Sequence, residues 1–275
     1  MKCGTLQGVL GQPPETVFET AARLGFDGVE LDWNALEDAR GEGRFGPAQR
    51  RALKERAAQA GVEIPSIAAH FLNRGGLGSP DVAAQQTGLE AVRAGIALCA
   101  DLGARVLLVP FFGPGELKGD ADVDQLARHL KTLAAEAEAR EVRLGVESTL
   151  PAREAAALIN AVGSPAVGSY WDVGNAMWLG YDDVEEIEAL GEHIVAVHAK
   201  EFAGPPRTAP GSPNGLNAKP FGEGEVPLQA VIAVLRRTGY EQRHGYLTLE
   251  TGAFGDPLGS AAKALNVLKE ACACR

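Results

Sequence analysis

The sequence is poor in cysteine, in long apolar runs and in positive charge. Only 4 of its 275 residues are cysteine, and their spacing matches no zinc ribbon or finger, so a reducing compartment is expected. No apolar run approaches the roughly 20 residues that cross a bilayer, and the amino terminus lacks the apolar core of a signal peptide. The net charge of −10 argues against nucleic-acid binding. These absences predict a cytoplasmic protein without a membrane or nucleic-acid partner.

What the sequence does contain is a regular alternation of short apolar segments with helical patterns. The predicted strands are residues 2–8, 28–33, 63–70, 105–111, 143–148, 166–172, 194–200 and 245–251. The predicted helices are residues 15–24, 47–60, 80–102, 122–140, 152–161, 184–190, 226–238 and 260–271.

This alternation predicts a parallel sheet in the α/β class. Strands that alternate with helices form right-handed βαβ units, and eight such units in one chain of this length are typical of a closed (β/α)8 TIM barrel. An open doubly wound sheet is the alternative, but the GxGxxG motif that usually marks its first strand–helix turn is absent. We predict a single TIM-barrel domain over residues 1–275.

One segment interrupts the alternation. Residues 203–224 contain five prolines with glycines between them, which excludes a helix or a central strand there. Because the segment follows the seventh predicted strand, it belongs over the carboxyl end of the barrel. We predict a lid-like loop; a merely mobile loop and a contact within a homo-oligomer are the alternatives.

Each of the last four predicted strands ends with one polar residue that faces the lumen. Side chains along a barrel strand point alternately to the helices and to the lumen. With the apolar neighbours facing the helices, the inward residues are Glu147, Asp172, His198 and Glu250. We expect them to meet at one level at the carboxyl end, where the active sites of such barrels lie.

A divalent metal accounts for this group better than separate ion pairs do. Carboxylates that crowd together raise one another's pKa unless a cation is present. Oxygen ligands with one imidazole suit Mn²⁺, Mg²⁺ or Co²⁺, and they also admit Zn²⁺. We therefore predict one divalent ion at these four residues, with four separately ion-paired strand ends as the alternative.

Six short phrases, spread over nearly the whole chain, resemble the xylose isomerase-like TIM barrels, a superfamily of sugar-phosphate isomerases and epimerases that also includes family 2 AP endonucleases. The phrases are Gly25-Phe26-Asp27-Gly28-Val29-Glu30-Leu31, Val146-Glu147, Trp171-Asp172-Val173-Gly174-Asn175, His198-Ala199-Lys200-Glu201, Gly222-Glu223-Gly224 and Leu249-Glu250. The resemblance implies that Glu147, Asp172, His198 and Glu250 ligate one divalent metal.

Three positions depart from patterns within this superfamily. Many members carry His where this chain has Asn175, and ketose 3-epimerases carry Arg and Glu where it has Gly204 and Arg153. These departures argue against epimerisation of a free ketose at C3, and they leave the metal ligands intact.

The resemblance implies a divalent-metal-dependent isomerase or epimerase of a sugar, a sugar phosphate or a related small hydroxy-carbonyl compound. Glu147 and Glu250 are the predicted catalytic pair: one removes the proton α to the carbonyl and the other returns it, through an enediolate. An inosose-type dehydratase, a hydroxypyruvate isomerase and a non-catalytic sugar-binding barrel are the alternatives. DNA repair is disfavoured, because the chain has five histidines and a charge of −10.

Four further residues are predicted to bind the substrate, namely His70, Asn175, Lys200 and Glu201. For His70 the alternative is a structural histidine, and for Lys200 it is an ion pair with Glu201 or another carboxylate. Asn175 can instead cap the following helix.

Glu30 lies inward on the second predicted strand. A buried Glu needs a partner, so we expect it either in an ion pair within the barrel or in support of the site.

Overall fold

Eight parallel strands close into a ring. A computed structural model of the chain describes residues 1–36, 46–74, 76–205, 217–243, 245–252 and 254–274. Its strands are β1 (Lys2–Leu6), β2 (Gly28–Asp32), β3 (Ser66–Ala68), β4 (Val106–Phe111), β5 (Arg143–Ser148), β6 (Val167–Asp172), β7 (Ile194–Ala199), β8 (Phe202–Ala203), β9 (Asn217–Ala218) and β10 (Tyr246–Leu249). Strands β1 to β7 follow one another around the ring, and β10 closes it between β7 and β1. The structure confirms the predicted TIM barrel.

Helices connect the strands and cover the outside of the ring. They are α1 (Gln7–Leu10), α2 (Val17–Leu24), α3 (Trp33–Leu36), α4 (Pro47–Ala60), α5 (Val82–Leu102), α6 (Asp120–Ala139), α7 (Ala152–Val162), α8 (Val173–Leu179), α9 (Asp183–Leu190), α10 (Leu228–Arg237) and α11 (Pro257–Ala273). All eight predicted helices are present. The short helices α1, α3 and α8 were not predicted, because they have too few turns to establish a 3.6-residue period.

Strand β3 is shorter than the predicted strand 63–70. Only Ser66–Ala68 joins the ladder, and Glu63 forms an isolated bridge to Gly28. Pro65 has no N–H to donate, which accounts for the interruption between them. His70 therefore does not end a strand but begins a short 3-10 helix, His70–Arg74.

The proline-rich segment is described only at its two ends. Strand β8 pairs antiparallel with β9, so residues on either side of the segment form a small ribbon after β7. Residues 206–216, on which the predicted lid depends, lie outside the described residues. Within the described ranges, none of the helices combines the length and the apolar character that a membrane span requires.

A close approach of β6 and β7 sets the spacing of the strands that carry two of the predicted metal ligands. A Cβ atom at Gly168 would lie 2.2 Å from Cγ1 of Val195 and 2.6 Å from the backbone oxygen of His193. A backbone oxygen cannot rotate away, so only glycine fits here. Further along the same strands Asp172 and His198 are paired in register.

Replacing Gly168 with Ala should lower the free energy of unfolding by about 1–3 kcal/mol, because the added methyl group forces β6 and β7 apart. Urea denaturation followed by circular dichroism measures the change. Gly8→Ala is the matched control: nothing lies within 4 Å of a Cβ at this position, so its stability should be unchanged or slightly raised. Equal stability of Gly168→Ala and the wild type would contradict the close approach.

Candidate metal centre

The four residues predicted to hold a metal come together at the carboxyl end of the barrel. Glu147 lies near the end of β5, Asp172 ends β6, His198 lies near the end of β7 and Glu250 follows β10. These four strands are consecutive neighbours around the ring. One ligand atom from each residue lies within 4.8 Å of the others. The barrel topology therefore builds a compact set of three carboxylates and one imidazole.

The atoms that face one another in this cluster are buried and lack hydrogen-bond partners. Within the described part of the chain, this holds for Oδ2 of Asp172, Nδ1 of His198 and Oε2 of Glu250. Nδ1 of His198 lies 2.8 Å from Oε2 of Glu250, although the two groups are not aligned for a hydrogen bond, and 3.9 Å from Oδ2 of Asp172. Buried polar atoms are normally satisfied. Here the close partners of the carboxylate oxygens are the Lys200 ammonium and the His198 imidazole, and oxygen and nitrogen atoms that converge in this way fit a divalent cation.

Glu30 holds the imidazole of His198 from the other side. Nε2 of His198 lies 2.8 Å from Oε1 of Glu30, and both residues are fully buried. The hydroxyls of Ser66 and Tyr170 donate to Oε2 of Glu30. Burial opposes ionisation of Glu30, but the His198 cation and these hydrogen bonds outweigh it and lower the pKa of Glu30. With Nε2 engaged, Nδ1 is the nitrogen that faces the cluster and is available to a metal.

This contact resolves the alternatives for Glu30, since its partner in the barrel is itself a predicted metal ligand. The inward position of Glu30 was evident from the sequence, whereas the contributions of Ser66 and Tyr170 were missed. The signal available for Tyr170 was its shared inward parity with Asp172 on the same strand.

Lys200 and Asn175 complete the polar contacts around the cluster. The ammonium of Lys200 lies 2.8 Å from Oδ2 of Asp172 and 3.0 Å from Oε2 of Glu250. Asn175 donates from its side-chain amide to Oε1 of Glu147 at 3.0 Å, and its backbone N–H donates to Oδ1 of Asp172 at 2.8 Å. Asp172, and not Asn175, therefore caps helix α8.

The two glutamates of the cluster differ in protonation. Burial raises the pKa of Glu147 to about 8, against the opposing effect of the His198 cation. Burial also opposes ionisation of Glu250, but the cations of His198 and Lys200 outweigh it and hold the pKa of Glu250 well below its ordinary value. Burial favours the neutral imidazole of His198, yet the carboxylates of Glu30 and Glu250 raise its pKa well above the ordinary value. Without a metal, neutral pH thus finds Glu147 protonated and Glu250 ionised.

The remaining predicted substrate-binding residues occupy different places. His70 is half-buried, and its Nε2 lies 3.9 Å from Oε1 of Glu250 at the edge of the cluster. Glu201 is buried and accepts hydrogen bonds from the backbone N–H groups of Gly222 at 3.0 Å and Val226 at 3.1 Å. A Cβ at Gly224 would lie only 2.3 Å from the Glu201 carboxylate, which explains the glycine at that position. In these contacts Glu201 holds the end of the proline-rich segment.

The closed parallel barrel and the carboxylate–imidazole cluster define the class of protein to which the chain belongs. It is a member of the xylose isomerase-like TIM barrel family, whose profile matches residues 18–271. The match covers most of the chain and includes the four residues of the cluster.

Individual relatives of the chain are named as sugar epimerases. The L-ribulose-5-phosphate 3-epimerase UlaE of Escherichia coli K12 is 28% identical over 259 residues, covering 91% of this chain and 87% of that protein. The structure of D-psicose 3-epimerase from Clostridium cellulolyticum H10 superposes with a TM-score of 0.77 at 16% identity and covers 99% of both chains. The 3-keto-D-glucoside 4-epimerase YcjR of E. coli superposes with a TM-score of 0.76 at 16% identity, covering 98% of this chain and 99% of that one. The two structural likenesses show a shared fold.

Removing a single carboxylate from the cluster should strongly weaken metal binding. After incubation with Mn²⁺ and removal of the excess, elemental analysis should find about one ion per wild-type chain and little in Glu147→Gln or Asp172→Asn. The control is Asp183→Asn. Asp183 is also buried, and it accepts a hydrogen bond from Nε1 of Trp171 at 2.9 Å. Because burial raises the pKa of Asp183 to about 8, Asn resembles its form at neutral pH. Full metal content in both cluster variants would exclude this metal centre.

The affinity for Mn²⁺ should rise as the pH increases through about 8. Below that pH Glu147 carries a proton that must leave before its carboxylate can bind the ion. His198 must lose a proton as well, which steepens the dependence. Isothermal titration calorimetry in two buffers of different ionisation enthalpy counts the protons released. An affinity that stays constant between about pH 6 and about pH 9, with no proton release, contradicts this assignment.

Proposed function

We propose that this chain is a divalent-metal-dependent epimerase that acts on a ketose phosphate through an enediolate, since the departures at Arg153, Asn175 and Gly204 disfavour a free ketose. The observation that carries the proposal is the convergence of Glu147, Asp172, His198 and Glu250, whose ligand atoms all lie within 4.8 Å of one another. The named sugar epimerases among the relatives support the substrate class, and the relative with a phosphorylated substrate is 28% identical to this chain.

The four cluster residues would hold the ion, with Mn²⁺, Mg²⁺ or Co²⁺ preferred and Zn²⁺ admitted. When bound, a divalent ion polarises a substrate carbonyl and stabilises negative charge that develops on its oxygen. Glu30 acts on this chemistry by orienting the imidazole of His198, which it contacts at 2.8 Å.

Glu147 and Glu250 are the proposed proton-transfer pair. They stand on the two outermost of the four neighbouring strands, with Asp172 and His198 between them. A substrate bound between the outer strands would thus meet one carboxyl group on each side. One of these two carboxylates would remove the proton α to the carbonyl, and the other would return a proton to the opposite face. Transfer across the two faces of the enediolate inverts one carbon, which is an epimerisation.

The surrounding residues would bind and orient the sugar. Lys200 places a cation beside Asp172 and Glu250, where it can donate to a substrate hydroxyl or carbonyl oxygen. Asn175 positions Glu147 through its side-chain amide, and His70 lies at the edge of the cluster. For Glu201 we propose an indirect contribution, since its carboxylate holds the end of the proline-rich segment. The single domain, the cytoplasmic location and a homo-oligomeric state remain predictions from the sequence.

Proton exchange and epimer formation test the proposal together. The Mn²⁺-loaded protein should incorporate deuterium from D₂O at the carbon α to the carbonyl of ribulose 5-phosphate, and should form the epimer, as followed by NMR. At saturating Mn²⁺, Glu147→Gln and Glu250→Gln should each lower kcat by a factor of about 100 to 10,000, because each removes one proton-transfer group. Glu185→Gln, which changes an exposed carboxylate on α9, should keep wild-type activity.

Three results would contradict the proposal. Wild-type kcat in both cluster variants would exclude the two glutamates as the transfer pair. Turnover of an inosose or of hydroxypyruvate, but of no ketose, would show that the same site belongs to a dehydratase or a hydroxypyruvate isomerase and not to an epimerase. A protein that binds Mn²⁺ but exchanges no proton with any of these compounds would be a non-catalytic barrel.

A further inference from the structure

A second cavity opens at the amino-terminal end of the barrel, opposite the candidate metal centre. It encloses about 460 Å³ and is lined where strands begin, for example by Lys2 of β1, Arg143 of β5 and Ile194 of β7. This volume lies within the range of sites that hold small molecules, roughly 300–1,000 Å³. The function proposed above makes no use of this end of the barrel.

The described residues that line this cavity carry a strong excess of positive charge. Five of them are cations, namely Lys2, Lys54, Arg105, Arg143 and Arg243. Glu63 is the one carboxylate among them. The whole chain has a net charge of −10, so this concentration of cations is local and opposite in sign to the rest of the protein. An electropositive cavity of this kind attracts small anions.

Two of these arginines have guanidinium groups that form no ion pair with a described residue, although Arg105 acts electrostatically on the Glu63 carboxylate. Arg105 and Arg143 make no side-chain hydrogen bond or ion pair with any residue that the structure describes. They are close neighbours, because the backbone N–H of Arg143 donates to the backbone oxygen of Arg105 at 2.8 Å. Burial lowers the pKa of Arg143, and the cations of Arg243 and Arg105 add to this effect. An anion bound between them would relieve the repulsion of like charges.

Other polar atoms at the cavity are also left without partners in the described part of the chain. Arg243 donates from Nη1 to the backbone oxygen of Thr238 at 2.9 Å, but its buried Nη2 has no hydrogen-bond partner. Thr248 reaches the cavity from within the barrel, is 1% exposed, and has an unpartnered Oγ1. Buried groups of this kind are rare unless a ligand or water satisfies them. The cavity therefore offers guanidinium donors near the strand starts and a hydroxyl further inside.

We propose that this cavity is a binding site for a small organic phosphate, with Arg105 and Arg143 holding the phosphate and Thr248 contacting a hydroxyl group of the ligand. The planar guanidinium group presents paired donors that match phosphate oxygens. The proposal does not depend on the chain being an epimerase.

One residue of the inner wall of the cavity is hydrogen-bonded to the side chain that orients the metal ligand His198. Ser66 lines the cavity, and its hydroxyl donates to Glu30, which contacts His198. The hydrogen bonds of Ser66 and Glu30 thus connect the wall of the cavity to His198.

Calorimetric titration of the metal-loaded protein with inorganic phosphate and with glycerol 3-phosphate tests the site. Both should bind, and glycerol 3-phosphate should bind more tightly because its hydroxyl groups reach Thr248. Arg105→Gln and Arg143→Gln should each weaken both ligands by about tenfold or more, since each removes a charged hydrogen-bonding partner. Arg128→Gln, an exposed arginine on α6 outside the cavity, should bind like the wild type.

The Thr248→Val variant tests the proposed contact with a ligand hydroxyl group separately from the binding of phosphate by the arginines. This variant should lose the preference for glycerol 3-phosphate while its affinity for inorganic phosphate stays unchanged. Arg105 is exposed, so Arg105→Gln keeps the test valid even if Arg143→Gln fails to fold. Absence of phosphate binding by the wild type, or wild-type affinity in Arg105→Gln, would overturn the proposal. Equal affinity of the wild type for the two ligands would overturn the assignment of Thr248.

Discussion

Mutual repulsion among buried carboxylates is the constraint on which the rest of this structure depends. Glu147, Asp172 and Glu250 converge at one end of the barrel, where burial makes each ionised carboxylate costly. Positive charge on His198 and Lys200 offsets part of this free-energy cost. The carboxylates do not share that charge equally, so without a metal Glu147 is protonated at neutral pH while Glu250 stays ionised. The excess of carboxylates over cations makes the cluster suitable for a metal ion. The unequal distribution of the nearby positive charge makes Glu147 and Glu250 chemically different.

At the amino-terminal end of the barrel, the side chains that line the cavity carry an excess of positive charge. Arg105, Arg143 and Arg243 lie near the starts of β4, β5 and β10, and among the described residues one carboxylate, that of Glu63, lines the cavity with them. Glu30, Ser66 and Tyr170 form a hydrogen-bonded layer beneath His198 within the lumen. Parallel strands make this separation possible, because all their amino ends lie on one side and all their carboxyl ends lie on the other.

Much of the fold and of the cluster could be predicted from local patterns. The eight strands and eight long helices follow from apolar periodicity, and the inward parity of Asp172 and His198 follows from alternation along a strand. Boundaries were less accurate where one residue overrode the pattern, as at Pro65, which shortens β3 and leaves His70 in a 3-10 helix. Lys200 forms the ion pair that was its alternative role, and the structure shows that the carboxylates are those of Asp172 and Glu250.

The sequence by itself determined the barrel and the four strand ends that could carry a metal, because strand parity and the repeat of the βα unit are local properties of the chain. Only the tertiary structure decided that Glu30 holds His198 and that Glu201 holds the proline-rich segment. It alone also placed Arg105 and Arg143 beside Arg243 at one cavity. Such contacts join residues far apart in the chain, and they depend on barrel closure and on the direction of individual side chains. Neither property leaves a periodic signal in the sequence.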